Sequence, residues 1–192
     1  MMTLEEQEAR KGRTYKMLLL FGMISIFMIF AGLSSAYVVS KSRPDWLKDF
    51  QLPTAFIIST IVLIASSFTI HSALKAMRNN NRNLTSILLV TTLVLGLAFI
   101  VLQFKGFGQV VDMGLFFTGS ESSITTSFLY IAVIVHVMHL IGGIISLLVV
   151  IYNHFKQKYN SLQTLGIELC GMYWHFMDFI WVYLFLFFYF YK

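Results

Sequence analysis

Apolar residues run along this chain in five long blocks separated by short polar stretches. The blocks lie near residues 17–39, 53–74, 84–104, 125–152 and 165–190. Each is long enough to cross about 30 Å of hydrocarbon as a helix. The fourth and fifth exceed that need, which predicts tilt or overhang into the interface. Proline occurs only at Pro44 and Pro53, both near one loop, so the interiors of the blocks are free of helix breakers. The pattern predicts an all-α, polytopic bundle of five transmembrane helices, not a barrel of short strands. It has no internal repeat. A polar tail over 1–16 precedes a single helical domain over 17–192.

The loops carry the charges. Residues 40–52 hold Lys41, Arg43, Asp45, Trp46, Lys48 and Asp49, and 75–83 hold Lys75, Arg78, Arg82 and four asparagines. Residues 105–124 contain four glycines (106, 108, 114 and 119) with Asp112 and Glu121, and 153–164 hold His154, Lys156 and Lys158. Nine of the 14 Lys and Arg residues fall on the side of the N-terminus, in the tail and in the loops around 75–83 and 153–164. Lys41, Arg43, Lys48, Lys105 and Lys192 fall on the other. The bias predicts a cytoplasmic N-terminus and an outer C-terminus.

Composition narrows the class. Hydrophobic residues make up 57% of the chain and charged residues 12%, about half the charged fraction of soluble domains. Mean hydropathy is +0.75. The net charge of +5 sits at span ends, where it sets topology and meets anionic head groups, so it is no nucleic-acid signal. The single cysteine, Cys170, excludes a disulfide framework, a thiolate pair for copper or zinc, and covalent haem attachment. The acidic start, with Glu5, Glu6 and Glu8, reads as a solvated or interfacial helix end and not as a cleavable signal.

Inside the spans only two acids occur, Glu168 and Asp178, with no Lys or Arg. His136, His139 and His175 lie well inside, and His71 lies near the inner end of the second span. An acid at mid-span costs about 2.5–3.5 kcal/mol on the insertion scale, so such groups face the bundle interior or a cavity. His136, His139 and Gly143 share one face of the fourth span. Glu168, Gly171, His175 and Asp178 share one face of the fifth. Imidazole N–H groups can donate to carboxylates. Glycines allow close approach. The two faces are therefore expected to pack together or to share a polar cleft.

Three chemistries fit these residue types. Two histidines with a Glu and an Asp resemble ligands of a carboxylate-bridged di-iron site. His71 or His136 facing His175 would suit a bis-histidine haem. A buried hydrogen-bonded network that fixes helix register and binds lipid or a partner subunit needs neither. Gln103 is expected to bond between helices. Ser66, Ser67 and Thr69 are expected to bond their own helix backbone. The aromatic run from Phe179 to Tyr191 is expected to face lipid or another subunit, and the ten methionines to fill packing gaps.

The string Tyr173-Trp174-His175-Phe176-Met177-Asp178-Phe179-Ile180-Trp181 resembles the Tyr-Trp-His-Phe-Val-Asp-x-x-Trp signature of the cytochrome c oxidase subunit III family of haem–copper oxidases. His136-Val137-Met138-His139-Leu140, followed by Gly142-Gly143, is similar to that family's His-Gly-x-His-Val-x-x-Gly, with Val137 replacing a glycine. Glu168 occupies a family glutamate position. Leu95-Gly96, Phe99 and Gln103 match a third helix, with Gly106-Phe107 where many members have Glu-Tyr. Ser66-Ser67, His71 and Leu74 match a second. In the first span Met28, Phe30, Gly32, Leu33, Ala36 and Tyr37 are in place, but Ile26 stands where the family carries a buried glutamate. No role of that carboxylate transfers here.

The resemblance covers residues 17 to 190 and implies the shorter bacterial form, without the family's first two helices. It implies a non-catalytic core subunit that binds no metal, haem or copper itself. Haem and copper would reside in partner subunits I and II. This chain would pack on subunit I, hold structural phospholipids, and support proton uptake and turnover stability in a bacterial cytoplasmic membrane. His136, His139, Glu168, His175 and Asp178 would form the polar network and lipid cleft. The alternatives are subunit III of a quinol oxidase, the equivalent subunit of a nitric-oxide-reductase-type complex, and, from a different class, a haem or di-metal membrane enzyme.

Overall fold

A computed structural model describes residues 4–43, 46–47, 52–119 and 123–191. Pro44, Asp45, Lys48, Asp49, Glu121 and Lys192 lie outside the described residues, as do the side chains of Glu5 and Glu8. Five helices follow in order: α1 (Leu4–Ser40), α2 (Thr54–Arg78), α3 (Arg82–Asp112), α4 (Ile124–Phe155) and α5 (Leu165–Phe190). All five are long and apolar enough to cross a membrane, and no strand occurs among the described residues. The protein is a multi-pass membrane protein.

Four boundaries differ most from those the sequence predicts, the first being that α2 runs past 74 to Arg78, so Lys75 and Arg78 form its last turn and not a loop. Helix α1 starts at Leu4, so the polar tail and the first span form one 37-residue helix. Its first turns are rich in Glu, Gln, Ala, Arg and Lys, all good helix formers, and no proline interrupts them. Helix α3 continues through Gly106 and Gly108 to Asp112. Gly106 is a packing position: a Cβ there would collide with the Phe56 ring of α2. Helix α4 ends at Phe155, which puts His154 in its buried last turn and not in a loop, with Nε2 2.8 Å from Ser86 Oγ of α3.

Local chemistry sets the ends. Asn80, at φ 58°, turns the chain between α2 and α3, and the Asn81 side chain accepts from Leu84 N at 3.2 Å to cap α3. Ser123 and Thr126 cap α4 reciprocally. No side chain caps α2 from its own N-cap, Pro53. Gln109 of α3 does so from outside, its Oε1 accepting from Ala55 N at 3.2 Å.

Helix α5 packs against α1, α2 and α4, while α4 packs against α1, α3 and α5. Helices α2 and α3 form an antiparallel pair closing the other side, and α1 docks in the groove between α4 and α5. Trp174, Trp181, Phe30, Phe56, Phe99 and Leu63 fill the centre, each essentially inaccessible. Lipid tails are as apolar as these side chains, so the bundle is held by close packing and interhelical hydrogen bonds instead of by water exclusion. Gly96 shows how close: a Cβ there would lie 2.8 Å from the Trp174 ring.

Candidate functional site

The signature on α5 reaches three neighbours at once. Trp174 donates from Nε1 to Ser66 Oγ at 3.0 Å, and Trp181 donates from Nε1 to Thr60 Oγ1 at 2.9 Å, both on α2. His175 Nδ1 is hydrogen-bonded to Ser67 Oγ at 2.6 Å. Tyr173 turns the other way and donates to the His139 carbonyl of α4 at 2.9 Å. Phe99 of α3 meets the Trp181 ring edge-on, with centroids 5.1 Å apart. Phe176 packs against the buried core. The motif ties one helix to the rest of the bundle.

The five polar residues expected to form one network are divided among three places. At the end of the bundle nearest the N-terminal stem, Glu168 receives Lys16 Nζ of α1 at 2.6 Å, Arg78 Nη2 of α2 at 2.9 Å and Thr164 Oγ1 at 2.8 Å. Its place in the first turn of α5 explains this: the carboxylate stands level with the last charge of the α1 stem and the last turn of α2. In mid-bundle, His175 faces α2, with the His71 ring 6.1 Å away. Asp178 is buried beside the Ser67 hydroxyl, which is engaged by His175, and neither carboxylate oxygen makes a well-formed hydrogen bond among the described residues. Next to α1, His136 is enclosed by the rings of Phe30, Phe99 and Trp181 at 6.3, 5.9 and 5.2 Å. Neither of its nitrogens has a partner among the described residues. His139 donates from Nδ1 to its own helix at Val135 O, 2.7 Å away.

Helices α4 and α5 do pack together, as their glycines suggest: Gly143 lies beneath the Tyr173 ring, and a Cβ there would stand 3.2 Å from it. The imidazoles of α4 do not meet the acids of α5. The stripe containing His175 turns to α2, and the neighbouring stripe, with Cys170 beside Ser146 and Tyr173 over Gly143, meets α4. Gln103 bonds between helices as expected, donating from Nε2 to Ser59 Oγ of α2 at 2.9 Å. Ser66 and Thr69 bond their own backbone. Ser66 also accepts from Trp174, and Thr69 also meets Thr92 Oγ1 of α3 at 2.7 Å. Ser67 departs from the expectation by serving His175. Ile26, partly buried, packs against the core one helical turn from Phe30.

Sequence reasoning missed Lys16 and Arg78 as partners of Glu168, and Ser59 and Thr60 as acceptors for α3 and α5 respectively. The available signal was a run of small hydroxyls along one side of α2, at residues 59, 60, 66 and 67. A hydroxyl that donates to its own helix keeps lone pairs for a donor from outside. Outside the spans, burial raises the Tyr159 phenol above its ordinary value. Its ring is seated on Gly166, where a Cβ would collide with it, and its carbonyl accepts from Arg82 Nη2 at 3.2 Å.

For metal chemistry, the described residues gather no group of three or more His, Cys, Asp or Glu side chains that could hold an ion. Of the histidines considered for iron or haem, His175 is hydrogen-bonded to Ser67 with the His71 ring 6.1 Å away, and His136 sits among three aromatic rings. What this geometry supplies is cohesion between helices.

The family model described as cytochrome c oxidase subunit III matches residues 5–192. Subunit 3 of the cytochrome bo(3) ubiquinol oxidase of Buchnera aphidicola subsp. Baizongia pistaciae is 29% identical over 171 residues, covering 87% of this chain and 86% of that one. Cytochrome c oxidase subunit 3 of Spodoptera frugiperda is 32% identical over 138 residues, covering 71% and 87%. The corresponding subunit of Bacillus sp. strain PS3 is 28% identical over 162 residues, covering 82% and 76%. With a match across nearly its whole length and five membrane-crossing helices, this chain belongs to the cytochrome c oxidase subunit III family, whose members are subunits of haem–copper oxidases.

Proposed function

We propose that this chain is the non-catalytic core subunit III of a proton-pumping cytochrome c oxidase in a bacterial cytoplasmic membrane. Its N-terminus faces the cytoplasm. It packs on subunit I within a complex that also holds subunit II, and haem and copper are held by those partners. It binds structural phospholipid and supports proton uptake and turnover stability. The observation that carries this reading is the use made of the α5 signature. Tyr173, Trp174, His175 and Trp181 all spend their polar atoms on neighbouring helices, the arrangement expected of a support. The basic ends Lys16, Arg78 and Arg82 lie on one side with the N-terminal stem, in keeping with the charge bias of the loops. His136, His139, Glu168, His175 and Asp178 are assigned roles in holding the bundle and its lipid and subunit contacts. None is assigned a catalytic one.

A quinol-oxidising complex is the second reading, favoured by the near-equal length of this chain and its ubiquinol oxidase relative. Purification from native membranes, with identification of the companions, separates the two. A subunit II bearing a binuclear-copper motif is expected. A subunit II without one selects the quinol reading, and the absence of any haem–copper subunit contradicts both.

A further inference from the structure

His71 of α2 and His175 of α5 face each other across the seam between the two helices, with ring centroids 6.1 Å apart. His71 is exposed and His175 half-buried. Phe68 and Phe179, close to them along the chain, are widely exposed, so the seam opens on the outer surface of the bundle. His71 lies seven residues before Arg78, or about 10 Å of helix. The pair is therefore on the hydrocarbon side of the Glu168 ion cluster. Among the described residues no hydrogen bond holds the His71 ring, and His175 is engaged at Nδ1 alone. Imidazoles presented to hydrocarbon are costly unless a polar group or an ion meets them.

Ser67 decides which His175 nitrogen is free. Its Oγ lies 2.6 Å from His175 Nδ1 and stands beside the Asp178 carboxylate. Ser66 and Thr69 give their protons to their own backbone, whereas Ser67 does not. An ionised carboxylate only accepts, and a hydroxyl has one proton to give. With that proton turned to Asp178, Ser67 accepts from Nδ1–H, and His175 Nε2 carries a lone pair. Metal-bound imidazoles are held in this way, their far N–H given to an oxygen that fixes the tautomer and raises the basicity of the ligating nitrogen. The spacing agrees. With metal–nitrogen bonds of about 2.0–2.1 Å, two imidazole centroids on one zinc ion stand roughly 5–6 Å apart, a separation that a small rotation of the exposed His71 reaches. The geometry points to a binding site for a divalent metal ion of the zinc class at this seam. His175 Nε2 and a ring nitrogen of His71 are its ligands, Ser67 is a positioning residue, and Asp178 supplies the balancing negative charge. Among the described residues no third ligand joins them, so water or a neighbouring subunit completes the coordination. The ion clips α2 to α5 at the lipid face and has no part in catalysis.

Equilibrium dialysis of the full chain in mixed micelles against zinc tests the site. About one zinc ion per chain is expected for wild type and for His139→Gln, with none at the same concentration for His71→Leu. Ser67→Ala keeps both ligands and is expected to bind roughly 10–100-fold more weakly. Equal zinc in wild type and His71→Leu, including none in either, overturns the site, and an unchanged affinity in Ser67→Ala overturns the role given to Ser67 and Asp178. Wild-type chain alone supplies a second measurement should the variants fail to fold. Zinc is expected to abolish ethoxycarbonylation of His71 by diethylpyrocarbonate, read by peptide mass, and modification of His71 that zinc leaves unchanged overturns the site. The subunit reading is scored separately by its companions and does not depend on this result.

Discussion

The two ends of the α5 polar stripe are treated in opposite ways. At the inner end, Glu168 is met by Lys16, Arg78 and Thr164, drawn from α1, α2 and its own N-cap. Ten residues further on, Asp178 is buried with neither oxygen in a well-formed hydrogen bond among the described residues. His136 on α4 is left in the same condition, inside an aromatic box. A charge near the interface finds flexible basic side chains that reach it while remaining partly in water. A group in mid-bundle meets only what neighbouring helices hold rigidly in place. A buried polar group with no partner carries a penalty. The ion cluster therefore accounts for how α1 is fastened, while the buried mid-bundle groups carry a desolvation cost that no hydrogen bond among the described residues offsets.

That contrast can be broken, most severely at the centre. Trp174→Ala removes a buried indole, its bond to Ser66 and the surface seated on Gly96. A loss of about 3–5 kcal/mol is expected, measured by denaturant titration in mixed micelles. A loss below about 1 kcal/mol would show that the signature is not what ties α5 to α2 and α3.

Glu168→Gln tests the interface end. The carboxylate is 17% exposed, but its partners are 42% and 55% exposed, so solvent screening limits the effect to about 1 kcal/mol, and it should shrink as salt rises. A salt-independent effect would contradict the account of this end as a charge clamp. His136→Leu tests the other region with the opposite sign. Removing an imidazole that has no partner in an apolar box is expected to leave the isolated chain as stable or raise its stability by about 1 kcal/mol. A clear loss in the same titration would reveal a partner for His136 and erase the distinction.

Much of the fold was legible in the sequence because the membrane forces it: each block of apolar residues long enough to span must satisfy its backbone internally, as a helix. The ends were harder to read. Gly106 and Gly108 look like loop residues, yet Gly106 belongs to α3 because Phe56 presses against it. Periodicity placed Glu168, His175 and Asp178 on one face but could not name the neighbour that face meets, which proved to be α2 for His175. Nor could it show that Glu168, on the same stripe, sits at a different depth from Asp178 and so belongs with Lys16 and Arg78. The signature itself was plain, while the hydroxyls that receive it on α2 looked like ordinary small residues.

The most direct test of the central claim, that the middle of α5 holds together the bundle by which we propose this subunit stays in an oxidase, is subunit retention in complexes purified with Asp178→Asn and His175→Ala. The account predicts that this chain is lost or depleted while the haem content of the catalytic subunit persists and the enzyme inactivates sooner during turnover. Full retention with unchanged turnover lifetime would contradict it.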